Sequence, residues 1–222
     1  MGRRALRKID PALNLSWHYR DAEDVPRPFD PAALFREAKP LEVEVGSGKG
    51  LFLAGAATAN PARNYLGIEM ARKYARFAAA RLVQLQSQNA FMIGGDALGL
   101  FRDWFPAASL AAVHVYFPDP WWKKRHKKRR VLNEEFLRSA ERTLVPGGSL
   151  HFWTDVEEYY QSTLKLIAAT VALLGPLAVP EKPAEHDLDY RTHFERRTRK
   201  SELPVYRAEF RKGEGSSVAG VV

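Results

Sequence analysis

From Leu41 onward, short runs rich in β-branched and aromatic residues alternate with longer stretches of helical periodicity, and this alternation leaves few folds open. Strands are expected at Leu41–Val45, Tyr65–Ile68, Ala90–Ile93, Ala111–Phe117 and Ser149–Trp153, with Val205–Arg211 completing one edge. Helices are expected at Gly50–Ala59, Ala71–Gln86, Asn133–Thr143 and Val156–Leu174, the third opened by an asparagine cap and closed by Pro146-Gly147-Gly148. Strands joined through helical crossovers lie parallel, and right-handed crossovers place helices on both faces. The expectation is therefore an α/β, Rossmann-like fold with a mostly parallel sheet, whose ligands gather at the carboxyl ends of the strands.

At 222 residues the chain suits one domain. We assign residues 41–212 to it, residues 1–40 to a basic arm and partly flexible lead-in, and residues 213–222 to a frayed tail. The lead-in holds five prolines and a start carrying Arg3, Arg4, Arg7 and Lys8. Cysteine is absent, which excludes disulfides and thiolate metal sites and gives no reason to invoke an oxidising compartment. A cytoplasmic protein is expected. The longest apolar stretch, Val171 to Val179, is interrupted by Gly175 and Pro176 and is too short to span a bilayer, so no membrane association is expected. Nor does the sequence imply an obligate protein partner.

The first strand runs directly into Glu44-Val45-Gly46-Ser47-Gly48-Lys49-Gly50. Gly46 and Gly48 permit positive φ and close backbone approach just before a helix N-terminus, an arrangement that favours a nucleotide-like ligand. Leu51 stands where a dinucleotide fingerprint places its third glycine, which weakens NAD and leaves S-adenosylmethionine. Three strand-end acids add to this reading. Glu69 is placed to accept from ribose hydroxyls, or else simply heads the next helix. Asp96 is placed to accept from an adenine amino group, or else caps a helix. Glu44 is placed to hold the methionine ammonium directly or through water.

After the fourth strand comes Phe117-Pro118-Asp119-Pro120-Trp121-Trp122-Lys123-Lys124-Arg125-His126-Lys127-Lys128-Arg129-Arg130. Two prolines restrict the backbone around Asp119. The formal net charge is +8, and Lys123 to Arg130 alone carries seven Lys or Arg and no acid, so nearly all the excess sits in one segment. A carboxylate at a strand end, beside paired tryptophans and a cationic run, has the parts to hold a base, stack it and grip phosphates. Nucleic acid is the partner this composition favours.

This segment resembles the signature of the bacterial tRNA (guanine-N7-)-methyltransferase family, and the resemblance continues through Gly67-Ile68-Glu69, Thr154-Asp155 with Tyr159, and Thr192-His193-Phe194-Glu195. It implies that the chain methylates N7 of a guanosine in tRNA, in the variable loop, with S-adenosylmethionine as donor, S-adenosylhomocysteine as product and no metal. It also implies that Glu44, Glu69, Asp96 and Asp119 contact the cofactor and that Asp119 serves at the active site. By the same resemblance Lys123, Asp155, Thr192, His193, Phe194 and Glu195 contact the guanosine, while Arg125, His126, Lys127, Lys128, Arg129 and Arg130 engage RNA. The residues alone leave Asp155 open between base contact and a helix cap. Trp122 and Phe194 depart from the family's commoner residues and bear only on base packing.

Overall fold

In a computed structural model the described residues are 6–181 and 190–215, excepting the side chains of Lys124, Lys127 and His193. In chain order they form β1 (Tyr19–Asp21), β2 (Leu41–Val45), α1 (Leu51–Ala59), β3 (Asn64–Glu69), α2 (Arg72–Gln84), β4 (Ala90–Gly94), α3 (Ala97–Asp103) and β5 (Leu110–Tyr116). There follow α4 (Glu134–Thr143), β6 (Leu144–Thr154), α5 (Glu157–Thr170), β7 (Leu174–Leu177), α6 (His193–Lys200) and β8 (Tyr206–Arg211).

The strands make one eight-stranded sheet in the order β1-β4-β3-β2-β5-β6-β8-β7. All neighbours from β1 to β6 are parallel, and β8 runs antiparallel to both β6 and β7. The chain winds outward from β2 toward β3 and then returns to β5 on its other side. The order therefore reverses between β2 and β5, where a doubly wound sheet opens a crevice at its carboxyl edge.

Each sheet face is covered by its own apolar cluster. On one, α1 and α2 pack through Leu53, Ala54, Ala57, Ala75, Ala78, Ala79 and Leu82. The other holds Phe101, Phe105, Phe136, Leu137 and Ile167 against the sheet residues Val43, Val45, Leu66, Ile68, Val113 and Val115. Gly50 caps α1 with φ of 67°, and a Cβ there would lie 2.6 Å from Ala78 Cβ, so only glycine allows this approach of α1 to α2.

Several elements differ from expectation. The lead-in supplies β1, paired with β4 from Tyr19↔Met92 to Asp21↔Gly94, and buries Val25, Phe29 and Phe35 in the main core. A three-residue strand carries no readable period, and prolines hide the apolar spacing around it. Residues 1–5 of the expected arm and 216–222 of the expected tail lie outside the described residues. The fourth expected helix stops at Thr170, since Gly175-Pro176 does not extend it and Leu174–Leu177 instead pairs with β8. Helices α3 and α6 lie outside the four expected helices. The first has 7 residues and the second 8, too short for a clear period. Each nevertheless has a capping signal, Asp96 accepting from Leu98 N at 3.0 Å and Thr192 from Glu195 N at 3.0 Å.

Candidate active site

The sheet's carboxyl edge collects the ends of β2, β3, β4, β5 and β6, and with them most of the residues singled out above. The backbone after β2 is pinned to β3: Gly46 N and Ser47 N donate to Ile68 O at 2.8 and 3.1 Å. Gly46 and Gly48 both take positive φ, at 80° and 53°, and a Cβ on either would meet nothing within 4 Å. The turn is thus left-handed and opens on free space rather than on packed protein.

Glu69 braces this turn. Its Oε2 accepts from Gly48 N at 2.9 Å and its Oε1 from Ala71 N at 2.9 Å, so it both shapes the glycine loop and heads the approach to α2. Asp96 caps α3 through Oδ1. The cap uses one oxygen and leaves the second, on an exposed side chain, with open acceptor capacity.

Glu44 differs from both. It is 3% exposed, and its Oε2 has no hydrogen-bond partner among the described residues. Burial pushes its carboxyl up to about 8, opposed by the Ser47 hydroxyl and reinforced by the Glu69 charge. A buried carboxyl with an orphan oxygen beside an open glycine turn is suited to a cationic, nucleotide-like ligand. By this observation the residues fit an aminoacyl sulfonium nucleoside, whose ammonium supplies the missing donor.

The chain leaves β5 through a strained bend. Phe117 and Trp121 have φ of 48° and 46°, and these two left-handed, bulky residues flank Pro118-Asp119-Pro120. Phe117 N still donates to Trp153 O at 2.8 Å, which fixes where the bend starts. Asp119 is exposed at the rim and makes no hydrogen bond or ion pair among the described residues.

Beyond it, Lys124–Arg129 forms a 3-10 helix. Trp121 is held within this segment, with His126 edge-on at 5.8 Å and the Arg129 guanidinium over its ring at 5.2 Å. Trp122 is 61% exposed. Lys123, Arg125, Lys128 and Arg129 are exposed. Arg130 turns inward instead: its Nε donates to Pro120 O at 2.8 Å and its guanidinium lies 4.4 Å over Tyr159. The side chains of Lys127 and His193 lie outside the described residues.

At the end of β6, Thr154 Oγ1 accepts from Val156 N at 3.2 Å, and α5 has no side-chain cap. Asp155 therefore is not the helix cap; it is exposed and makes no hydrogen bond among the described residues. Helix α6 is drawn to the same edge by Phe194, which stacks on Phe117 at 6.1 Å and 17°. Glu195 is committed elsewhere. It is 3% exposed and accepts from Arg191 N at 2.7 Å and Arg207 Nη2 at 3.2 Å, so its carboxylate is paired within the protein.

A further polar group at this edge was not anticipated. Arg191 Nη1 donates to the Tyr116 hydroxyl at 2.9 Å, and buried His114 lies behind that hydroxyl. Its signal in the sequence was Glu42, His114 and Tyr116 at inward positions of strands that otherwise read as apolar.

A family model described as a putative methyltransferase matches residues 38–208. The tRNA (guanine-N(7)-)-methyltransferase of Rhodopirellula baltica is 50% identical over 218 residues, covering 96% of this chain and 80% of that protein. The protein of that name from Listeria monocytogenes serovar 1/2a is 34% identical over 176 residues, covering 79% and 82%. Among solved structures, the 16S rRNA methyltransferase KamB superposes with a TM-score of 0.55 at 17% identity, covering 82% of this chain and 92% of that one. The [4+2]-cyclase SpnF gives 0.56 at 16% identity, covering 81% and 77%. At such identities these two share the fold alone.

Proposed function

The chain belongs to the tRNA (guanine-N(7)-)-methyltransferase family, and from that premise we propose that it methylates N7 of a guanosine in the variable loop of tRNA, using S-adenosylmethionine. The observation that carries the reading is the juxtaposition at one sheet edge of buried Glu44, whose Oε2 lacks a partner among the described residues, and its open glycine turn with exposed Asp119, which makes no hydrogen bond or ion pair among them, and the cationic segment behind it.

Glu44 would hold the cofactor's ammonium, Glu69 its ribose hydroxyls and Asp96 its adenine amino group, with Gly46 and Gly48 admitting the ligand to the backbone. When bound, S-adenosylmethionine supplies a methyl group made electrophilic by the sulfonium. Guanine N7 already carries an exposed lone pair at neutral pH, so the protein need not remove a proton to make it reactive. Its contribution is positioning and electrostatics. Positive charge grows on the purine as the methyl arrives, and ionised Asp119 at the rim would stabilise it. At an effective dielectric of about 20, unit charges 4 Å apart interact by about 4 kcal/mol, an upper bound because the ground state is charged as well.

Base identity would rest on Lys123 donating to O6 and Asp155 accepting from N1–H and the exocyclic amine, a pattern adenine lacks. Asp155 is preferred to Glu195 because its carboxylate is exposed and makes no hydrogen bond among the described residues while Glu195 is internally paired. Thr192 to Phe194 would border the base. Arg125, His126, Lys127, Lys128 and Arg129 would meet the tRNA backbone with Trp122 as the exposed ring, whereas Arg130 shapes the loop from within. The test is direct: unmodified tRNA is incubated with cofactor and cleaved with borohydride and aniline, which breaks the chain at N7-methylguanosine. Cleavage confined to a variable-loop guanosine is expected. Absence of cleavage, or cleavage elsewhere, would refute the reaction or its position respectively.

A further inference from the structure

A continuous polar chain crosses the sheet beneath the candidate active site. Arg63 Nη1 lies 3.0 Å from Glu42 Oε1, Glu42 Oε2 lies 2.8 Å from His114 Nε2, His114 Nδ1 lies 2.9 Å from the Tyr116 hydroxyl, and that hydroxyl lies 2.9 Å from Arg191 Nη1. Around a neutral His114 ring its donors and acceptors permit one arrangement. Arginine only donates, so the Tyr116 oxygen accepts from Arg191 and its proton goes to His114 Nδ1. A carboxylate only accepts, so His114 carries its own proton on Nε2 and gives it to Glu42. Burial lowers the His114 pKa, which keeps the ring neutral as this pattern requires; burial raises that of Glu42, but the His114 and Arg63 contacts outweigh it and keep it ionised.

The chain ends on a residue with a definite neighbour. Arg191 directly precedes Thr192, the cap of α6, and its own backbone N–H donates to Glu195 Oε2 at 2.7 Å. Its guanidinium lies 5.0 Å over Trp153 and 5.9 Å over Phe52, between the ends of β6 and α1. Backbone and side chain of one residue are thus fixed from two directions, and the segment they fix is the one that carries Phe194 onto Phe117.

We propose that Arg191 is a positioning residue, locked by Tyr116 at the end of the buried Glu42–His114–Tyr116 chain, that sets the Thr192–Phe194 segment against the guanosine. This rests on the proposed placement of that segment at the substrate. The alternative is a chain that stabilises the sheet and does nothing more. The two differ in what they move: sheet stabilisation affects melting and cofactor binding alike, whereas positioning affects methyl transfer with the cofactor already bound.

The experiment compares Tyr116→Phe, Arg191→Met and the double variant in single-turnover transfer to tRNA at saturating cofactor, with calorimetric binding of S-adenosylhomocysteine. Each single variant should slow transfer about tenfold, the lower end of the loss expected for a hydrogen bond to a charged group, while the S-adenosylhomocysteine dissociation constant stays within twofold. Both delete the same bond from opposite sides, so the double variant should be no slower than the singles. In nitrogen-15 spectra of histidine-labelled protein, the His114 Nδ1 resonance should shift in Tyr116→Phe. Wild-type rates in Arg191→Met, rate losses that multiply in the double variant, or equal losses in transfer and cofactor binding would each overturn the proposal, and Arg191→Met decides it if Tyr116→Phe does not fold. Thr192→Ala separates the two levels: if it transfers at the wild-type rate, the placement of the segment fails and the proposal with it. If Thr192→Ala is impaired while Arg191→Met is not, only the role of Arg191 fails.

Discussion

If buried Glu44 receives the ammonium of the cofactor, binding must be linked to its ionisation. Its carboxyl is pushed up to about 8 because burial disfavours the charge and the Glu69 carboxylate adds to this, against the Ser47 hydroxyl. A group with that pKa is about 1% ionised at pH 6 and about half ionised at pH 8, so affinity for S-adenosylhomocysteine should rise with pH by up to about 50-fold, or about 2.3 kcal/mol. At pH 7 binding should release about 0.9 proton. Calorimetry in two buffers of different ionisation enthalpy measures both quantities, and Glu44→Gln should abolish both. The same shift sets the pH dependence of the ligand-free protein. The folded pKa lies above the ordinary carboxylate value, so the contribution to stability is present in full below about pH 4.5 and is lost as pH rises toward about 8. Melting temperature should accordingly fall over that window in wild type and less in Glu44→Gln. A dissociation constant that stays within twofold from pH 6 to 8, with no buffer-dependent heat, would refute the pairing of Glu44 with the ammonium.

Asp119→Ala and Asp119→Asn should both lower single-turnover transfer strongly with unchanged circular dichroism, since the side chain makes no hydrogen bond or ion pair among the described residues; near-wild-type rates would remove it from the active site. Glu69→Ala should weaken S-adenosylhomocysteine binding by about 1.5–3 kcal/mol and leave tRNA affinity nearly unchanged, measured by calorimetry and fluorescence anisotropy. Replacing Arg125, Lys128 and Arg129 by alanine should flatten the log–log salt dependence of tRNA affinity by about 2, at about 0.7 per phosphate on single-stranded RNA, and an unaltered slope would take the segment out of the interface. Arg130→Ala should leave that slope alone but destabilise the fold by about 1–2 kcal/mol, through loss of the Pro120 hydrogen bond and the Tyr159 contact; an unmoved melting temperature would contradict this.

Much of the architecture was legible because it rests on local periodicity. The strands at Leu41–Val45 and Ala90–Ile93, the glycine turn and the Asn133 cap follow from spacing, turn chemistry and capping, all of which act over a few residues. The acids at strand ends could likewise be placed along one edge, since a parallel sheet aligns the carboxyl ends of its strands. Local pattern could not say which of two chemically equivalent roles each acid takes. Asp96 caps a helix that was too short to see, Asp155 does not cap one that was expected to need it, and Glu195 is paired with Arg207, which is 12 residues away in the chain. Arg130 and Arg125 are indistinguishable in a basic run, yet one is folded under the loop and the other faces solvent. The chain from Arg63 through Glu42, His114 and Tyr116 to Arg191 joins residues up to 149 positions apart, from Glu42 to Arg191 by their numbering. A hydrogen bond reaches only about 3 Å, so its partners are chosen by which strands become neighbours. That choice belongs to the packed sheet as a whole.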